Sequence, residues 1–203
     1  FGGRGRCLTC HAYSPANPFF TDQRFHDIGV GGARYDLGAL ARRARAELEA
    51  SPSALDGLAL RGDLSELGRF LVTGRPADVG AFKTPTLRNV AVTAPYMHDG
   101  SFATLWDVID HYDKGGNPGR YQDGAIQRLG LSEAEIGDLV AFLESLTSDR
   151  YAERARTLMA KQRAVAARSR PQRDAAAALG KGGDRGDPLP APGARDEANL
   201  GVF

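Results

Sequence analysis

The residues with the clearest chemical potential are Cys7-Leu8-Thr9-Cys10-His11, which hold the only two cysteines of the chain. Sulfurs three residues apart on one helical turn can reach the two vinyl groups along one porphyrin edge. The adjacent imidazole then points a nitrogen at the iron, so C-x-x-C-H is the pattern of c-type haem attachment. Two rival readings fit less well. A structural zinc ion needs two more ligands at matching spacing, and there is no second C-x-x-C and no H-x-x-x-H. A redox dithiol of the thioredoxin type needs a βαβ setting, and no alternating strand pattern is present. One covalently attached haem c is therefore expected, on Cys7 and Cys10 with His11 as proximal ligand. The expected redox chemistry lies outside the reducing cytoplasm.

A second axial ligand has five candidates: His26, Met97, His98, His111 and Tyr112. Spacing alone does not choose among them. Met97 lies in a long loop, and a thioether ligand would raise the reduction potential and suit an electron carrier. Tyr112 falls on the apolar face of a helix, where a phenol needs a partner. For His26, His98 and His111 a hydrogen-bonded structural role is the expectation.

The elements that must position these residues read as all-α. The first 30 residues suit a short helix followed by an irregular wrap. The run from Asp36 to Ala50 is helical by propensity, charged, and stopped by Ser51-Pro52, which reads as a surface helix inside an insertion at about residues 33–62. Residues 74–103 are rich in Gly, Pro and aromatics and suit a long ordered loop lining a site. A helix should start at Thr104 as N-cap with Asp107 three residues on. It presents Leu105, Val108, Ile109 and Tyr112 on one face, and Gly115-Gly116 stops it. The next begins with the capping box Ser132-x-x-Glu135 and carries Ile136, Leu139, Val140, Leu143 and Leu146 on one stripe. Residues 1–150 are thus expected to form a cytochrome c-like haem domain. Residues 151–203 are expected to form a helical extension and then, from Gly180, a largely disordered low-complexity tail.

Length and charge bound the rest. The 203 residues suffice for one globular core with an extension. A net charge of +1 offers no electrostatic reason to propose nucleic acid as a partner, and no apolar run is long enough for a membrane span. The chain starts at Phe1 with neither an initiator Met nor a signal peptide, so it reads as a piece of an exported, longer protein. Arg24, Lys83 and Arg88 are candidates to pair with haem propionates, because guanidinium and ammonium groups suit carboxylates.

Several further segments carry a resemblance. C-x-x-C-H is followed by Phe20-Thr21-Asp22-Gln23-Arg24-Phe25-His26-Asp27-Ile28-Gly29 and then by Gly80-Ala81-Phe82-Lys83-Thr84-Pro85-Thr86-Leu87-Arg88-Asn89-Val90. Pro95-Tyr96-Met97-His98-Asp99-Gly100-Ser101 and His111-Tyr112-x-x-Gly115-Gly116 complete the series. In this order, over about residues 1–148, they resemble the C-terminal haem domain of bacterial di-haem cytochrome c peroxidases and MauG-type enzymes. The resemblance implies an electron-transfer haem here and a peroxide-reactive haem on a separate N-terminal domain, making two in the full protein. It implies a periplasmic location, hydrogen peroxide as oxidant, and a redox protein donor or protein substrate as partner. The family places its distal ligand 14 residues after the His of the P-Y-x-H-D-G loop, which lands on Tyr112 and leaves Met97 as the alternative. A tyrosine there is the MauG-type choice and a methionine the peroxidase-type choice. The resemblance also implies a calcium ion held in part by the backbone carbonyls of Thr93 and Pro95. The competing expectation is a free-standing mono-haem cytochrome that only carries electrons.

Overall fold

The computed structural model describes the backbone of residues 1–180 and the side chains through residue 168. The disordered tail expected beyond Gly180 lies outside the described residues. The main compact unit is Phe1–Ala167.

Helices form where the sequence supplies caps. Helix α1 (Leu37–Ala50) opens with the Asp36 carboxylate accepting from Ala39 N, and Leu37, Leu40, Ala41 and Ala44 form its buried face. Two short helices, α2 (Leu55–Ala59) and α3 (Phe70–Thr73), follow. Helix α4 (Leu105–Asp113) carries a reciprocal capping box between Thr104 and Asp107. Gly115 and Gly116 then adopt φ of +82° and +69°, and a Cβ on Gly116 would lie 2.7 Å from the Ile28 carbonyl, so the chain must turn there on glycine. Helix α5 (Glu133–Ser145) has its own box between Ser132 and Glu135 and buries Ile136, Leu139 and Leu143.

Helix α6 (Ala152–Gly180) begins the extension. Its first turns belong to the core: Ala155, Met159 and Gln162 are buried. The compact unit therefore runs past residue 150.

Strand structure is minimal. β1 (Phe25–His26) pairs antiparallel with β2 (Phe82–Lys83), setting Phe25 opposite Lys83 and His26 opposite Phe82. This pairing fixes the segment around His26 against the start of the long loop.

Two separate apolar clusters result. One gathers Phe20, Leu87, Ala91, Tyr96, Leu105, Ile109, Ile136, Leu139, Leu143, Leu146, Ala155 and Met159. The other is built on α1 and gathers Leu37, Leu40, Ala44, Leu58, Leu64, Leu67, Phe70, Leu71 and Val79. Leu64, Leu67 and Leu105 are wholly shielded from solvent, each contributing about 1.5–3 kcal/mol of burial. The expected insertion helix thus closes a core of its own while its charged face meets solvent.

Candidate functional site

The first cluster surrounds a cavity of about 620 Å³. Its walls hold Cys7, Cys10, His11, Met97 and Tyr112 among apolar side chains that include Leu87, Leu105, Ile109, Leu139 and Leu143. The volume is in the range of small-molecule and cofactor sites. No residue of the second cluster lines it.

The motif enters on a single 3-10 turn, Cys7–Thr9, and His11 N donates back to the Cys7 carbonyl at 2.8 Å. The two thiols are free, and the Cys7 thiol donates to the Gly5 carbonyl at 3.2 Å. Burial raises the Cys7 pKa. Burial, with the negative charges of Asp22 and Asp123, pushes Cys10 up to about 11. Such thiols stay protonated at neutral pH, the opposite of an activated redox dithiol or a ready thiolate metal ligand.

His11 Nδ1–H donates to the Phe20 carbonyl at 2.9 Å. That bond fixes the tautomer and leaves the Nε2 lone pair available. Burial holds the His11 pKa below its ordinary value against the opposing pull of Phe20 and Asp22, so the ring is neutral at pH 7 and fit to bind a metal.

Tyr112 projects from the last turn of α4 into the cavity wall. Its hydroxyl has no hydrogen-bond partner among the described residues, whereas a phenol enclosed by protein ordinarily finds one. Burial and the neighbouring Cys10 and Cys7 raise its pKa, which keeps it a neutral phenol in the protein's own field. An apolar cavity with an orphan phenol, a tautomer-fixed imidazole and two thiols in its wall fits a haem group. Met97 lines the same cavity at a φ of +70°.

The three remaining histidines have partners, as the sequence reading expects. His26 Nδ1 and Nε2 lie 2.6 Å from Asp123 Oδ2 and 3.0 Å from Asp22 Oδ2. His98 Nε2 lies 2.9 Å from Glu66 Oε2, and its ring stacks on Phe82 at 3.7 Å. His111 Nε2–H donates to the Ile28 carbonyl at 2.8 Å. Lys83 and Arg88 line the cavity and Arg24 does not. Thr93 and Pro95 also line it, and neither carbonyl accepts a hydrogen bond among the described residues.

Three features lie beyond the sequence reading. The carboxylates of Asp22 and Asp123 bracket His26 from positions 101 residues apart. Glu66, from the second core, anchors His98, while Arg34 pairs with Asp99 beside it. Gln162 on α6 accepts from Leu105 N and donates to the Tyr96 hydroxyl, both at 2.9 Å. Apart from the i,i+4 pair Asp22–His26, these contacts join residues distant in sequence and leave no local pattern.

Short helices and one long ordered loop closing on this cavity define a cytochrome c-like helical domain. The chain matches the family of MauG proteins and bacterial di-haem cytochrome c peroxidases at moderate identity over most of its length. It is 33% identical over 147 residues to cytochrome-c peroxidase IdrP1 of a Pseudomonas species, covering 72% of this chain and 38% of that protein. It is 34% identical over 149 residues to the methylamine utilization protein MauG of Methylorubrum extorquens, covering 73% of this chain and 33% of that one. The chain thus spans little more than a third of these relatives. A crystal structure of a MauG-like protein associated with microbial copper homeostasis superposes with a TM-score of 0.52 at 32% identity, over 73% of this chain and 44% of that one. No protein-family model matches the chain.

Proposed function

We propose that this chain is the electron-transfer haem domain of a periplasmic di-haem oxidoreductase that uses hydrogen peroxide, with the peroxide-reactive haem on a domain outside these 203 residues. The observation that carries the reading is the convergence of Cys7, Cys10, His11 and Tyr112 on one apolar cavity, with the His11 tautomer fixed by Phe20. A haem held there supplies one-electron redox chemistry at its iron. Cys7 and Cys10 would hold it by thioether bonds, with His11 Nε2 and the Tyr112 oxygen as its protein ligands. The apolar walls exclude water, and the Phe20 carbonyl holds the imidazole in position and increases its basicity. Were His11 and Tyr112 both to bind the iron, they would leave peroxide no open position there. Lys83 and Arg88 would meet the propionates. The unpaired carbonyls of Thr93 and Pro95 would supply two of the oxygen ligands a calcium ion needs.

The test is direct. Chain expressed with a c-type haem maturation system should gain the mass of one haem covalently and give a c-type pyridine haemochrome spectrum. Cys7→Ser together with Cys10→Ser should abolish the adduct. Peroxide turnover should be negligible in the 203-residue chain and appear in the longer gene product. A chain with no haem, or rapid peroxide turnover by the six-coordinate chain, would overturn the assignment.

A further inference from the structure

One carboxyl group stands in the cavity wall. Among the residues that line the cavity only Asp27 carries one, and Asp27 is 6% exposed. It follows His26 of β1, and the chain turns directly after it: Asp27 Oδ1 accepts from Gly29 N at 2.7 Å, and Gly29 has a φ of +81°. The second oxygen, Oδ2, accepts no hydrogen bond among the described residues. It packs against Gly80, where an added Cβ would lie 3.1 Å from it. A buried carboxylate with an unpaired oxygen is costly, so burial raises the Asp27 pKa and favours the neutral acid.

The charges that act on Asp27 come from separate segments. Positive charge on His98, in the long loop, favours the anion, and negative charge on Asp123, beyond α4, favours the acid. Both are themselves engaged: Asp123 is bonded to His26, which also meets Asp22, and His98 is bonded to Glu66. Helix α1 brings only the apolar Leu37 to the shared contact with Gly80. Arg6, Lys83 and Arg88 bring the remaining charge to the cavity wall. The other proton-bearing groups there are committed. The two cysteines, His11 and Tyr112 are taken by the proposed haem, and the Tyr96 hydroxyl donates to the Val90 carbonyl at 3.3 Å and accepts from Gln162 at 2.9 Å. Asp27 Oδ2 is left as the unpaired carboxyl oxygen of the wall.

We propose that Asp27 takes up a proton from water when a haem in the cavity takes up an electron, and returns it on reoxidation, an inference that rests on the haem reading of the cavity. An electron placed among apolar walls adds a negative charge that water screens poorly, and a nearby group that can gain a proton offsets it. Oδ2 is placed to carry that proton, while Oδ1 keeps its bond from Gly29 N in either state. The balance is one electron from an external one-electron donor and one proton from solvent, both held until oxidation. The Asp27 O–H bond forms on reduction and breaks on oxidation, and no other bond changes.

The test is a spectroelectrochemical titration of the haem-loaded full chain between about pH 5 and 9, with an electrode as the electron donor. The midpoint potential should fall as pH rises, because the Asp27 anion disfavours the added electron. On the steepest part of the curve each tenfold drop in proton concentration should weaken electron binding close to tenfold, which is about 59 mV for a one-electron couple. Burial raises Asp27 from its ordinary 3.8, so the steep part lies above that pH. Asp27→Asn keeps the size of the side chain and the oxygen that accepts from Gly29. It should lose most of the slope while the optical spectra of both oxidation states stay unchanged. His26→Asn should keep the slope. In the native chain, redox-difference infrared spectra should gain the C=O stretch of a protonated carboxylic acid on reduction, and isotopic labelling of aspartate should shift that band. The infrared readout needs no variant and decides the matter if Asp27→Asn fails to hold haem. A native potential that does not change with pH, a slope that survives Asp27→Asn or is lost in His26→Asn instead, or a band that aspartate labelling does not move would overturn the assignment to Asp27 and leave the haem reading standing. A chain without haem would overturn both.

Discussion

At the scale of single residues, the distal ligand is the sharpest question, because Tyr112 and Met97 share the cavity. Tyr112 is favoured by its orphan hydroxyl, and bonding to ferric iron would reverse its raised pKa by stabilising the phenolate. Tyr112→Phe should therefore turn a six-coordinate, low-potential haem into one with an open or water-filled position and an altered optical spectrum. Met97→Leu should leave the spectrum nearly unchanged. The reverse pattern would make the centre His/Met-ligated and raise its expected potential. His26 offers a pH test. Burial lowers its pKa, but the hydrogen bonds its ring donates to the Asp123 and Asp22 carboxylates outweigh that, so the net shift is upward from 6.5. The stability it contributes is complete below that unfolded value and is lost as pH rises through the raised folded value. The stability advantage of the native chain over His26→Asn should accordingly shrink as pH climbs above about 6.5, measured as denaturant midpoints at constant slope. An advantage that grows with pH would mean the imidazole is held neutral. The C-x-x-C-H cluster was legible from spacing, because it is local. The partners of His26 were not, because Asp123 joins it only when the chain folds back.

At the scale of elements, the two strongest helix starts were legible in the sequence, Thr104 as an N-cap and Ser132/Glu135 as a capping box, and both helices begin there, with a reciprocal box at Thr104/Asp107 as well. Helices α2 and α3 were not foreseen, since five and four residues are too few to display a helical period. Neither was the second core: its apolar residues come from α1, α2, α3 and the turns between them, and no segment alone shows the pattern. The role of α6 was hidden for a similar reason, because its Ala- and Arg-rich composition reads as an extension while Met159 and Gln162 hold it to the core. Gln162 bonds the first amide of α4 and the hydroxyl of Tyr96, so it braces both the helix that carries Tyr112 and the loop that carries Met97. Gln162→Leu would leave the buried Leu105 N–H unpaired, at a cost of about 1–3 kcal/mol, and leave the Tyr96 hydroxyl with only its donation to the Val90 carbonyl. The expected result is a loss of about 2 kcal/mol or more in chemical denaturation, larger than for a substitution at exposed Val165. A loss within about 0.5 kcal/mol would show that α6 is not a brace.

At the scale of the whole molecule, the two cores have different relations to the cavity. Leu87, Tyr96, Leu105, Ile109, Leu139 and Leu143 of the first core line it, and no member of the second does. A group that fills the cavity completes the first core by adding apolar contact on its open side, and it binds the folded state preferentially, so it stabilises by mass action and by packing. The second core closes on its own residues: Leu58, Leu64 and Leu67 are almost wholly buried against α1 and α3. Stability should therefore be unevenly distributed, with α4 and α5 dependent on the attached haem and α1 much less so. Amide hydrogen exchange on the Cys7→Ser, Cys10→Ser double variant is the expected readout. Amides of α4 at Ile109 and of α5 at Leu139 and Leu143 should lose protection by several orders of magnitude relative to haem-loaded chain. Those of α1 at Leu40, Ala41 and Ala44 should lose far less. Protection lost equally at all six positions would make the chain one cooperative unit with no separate second core. Protection kept equally at all six would mean that the first core closes without the haem.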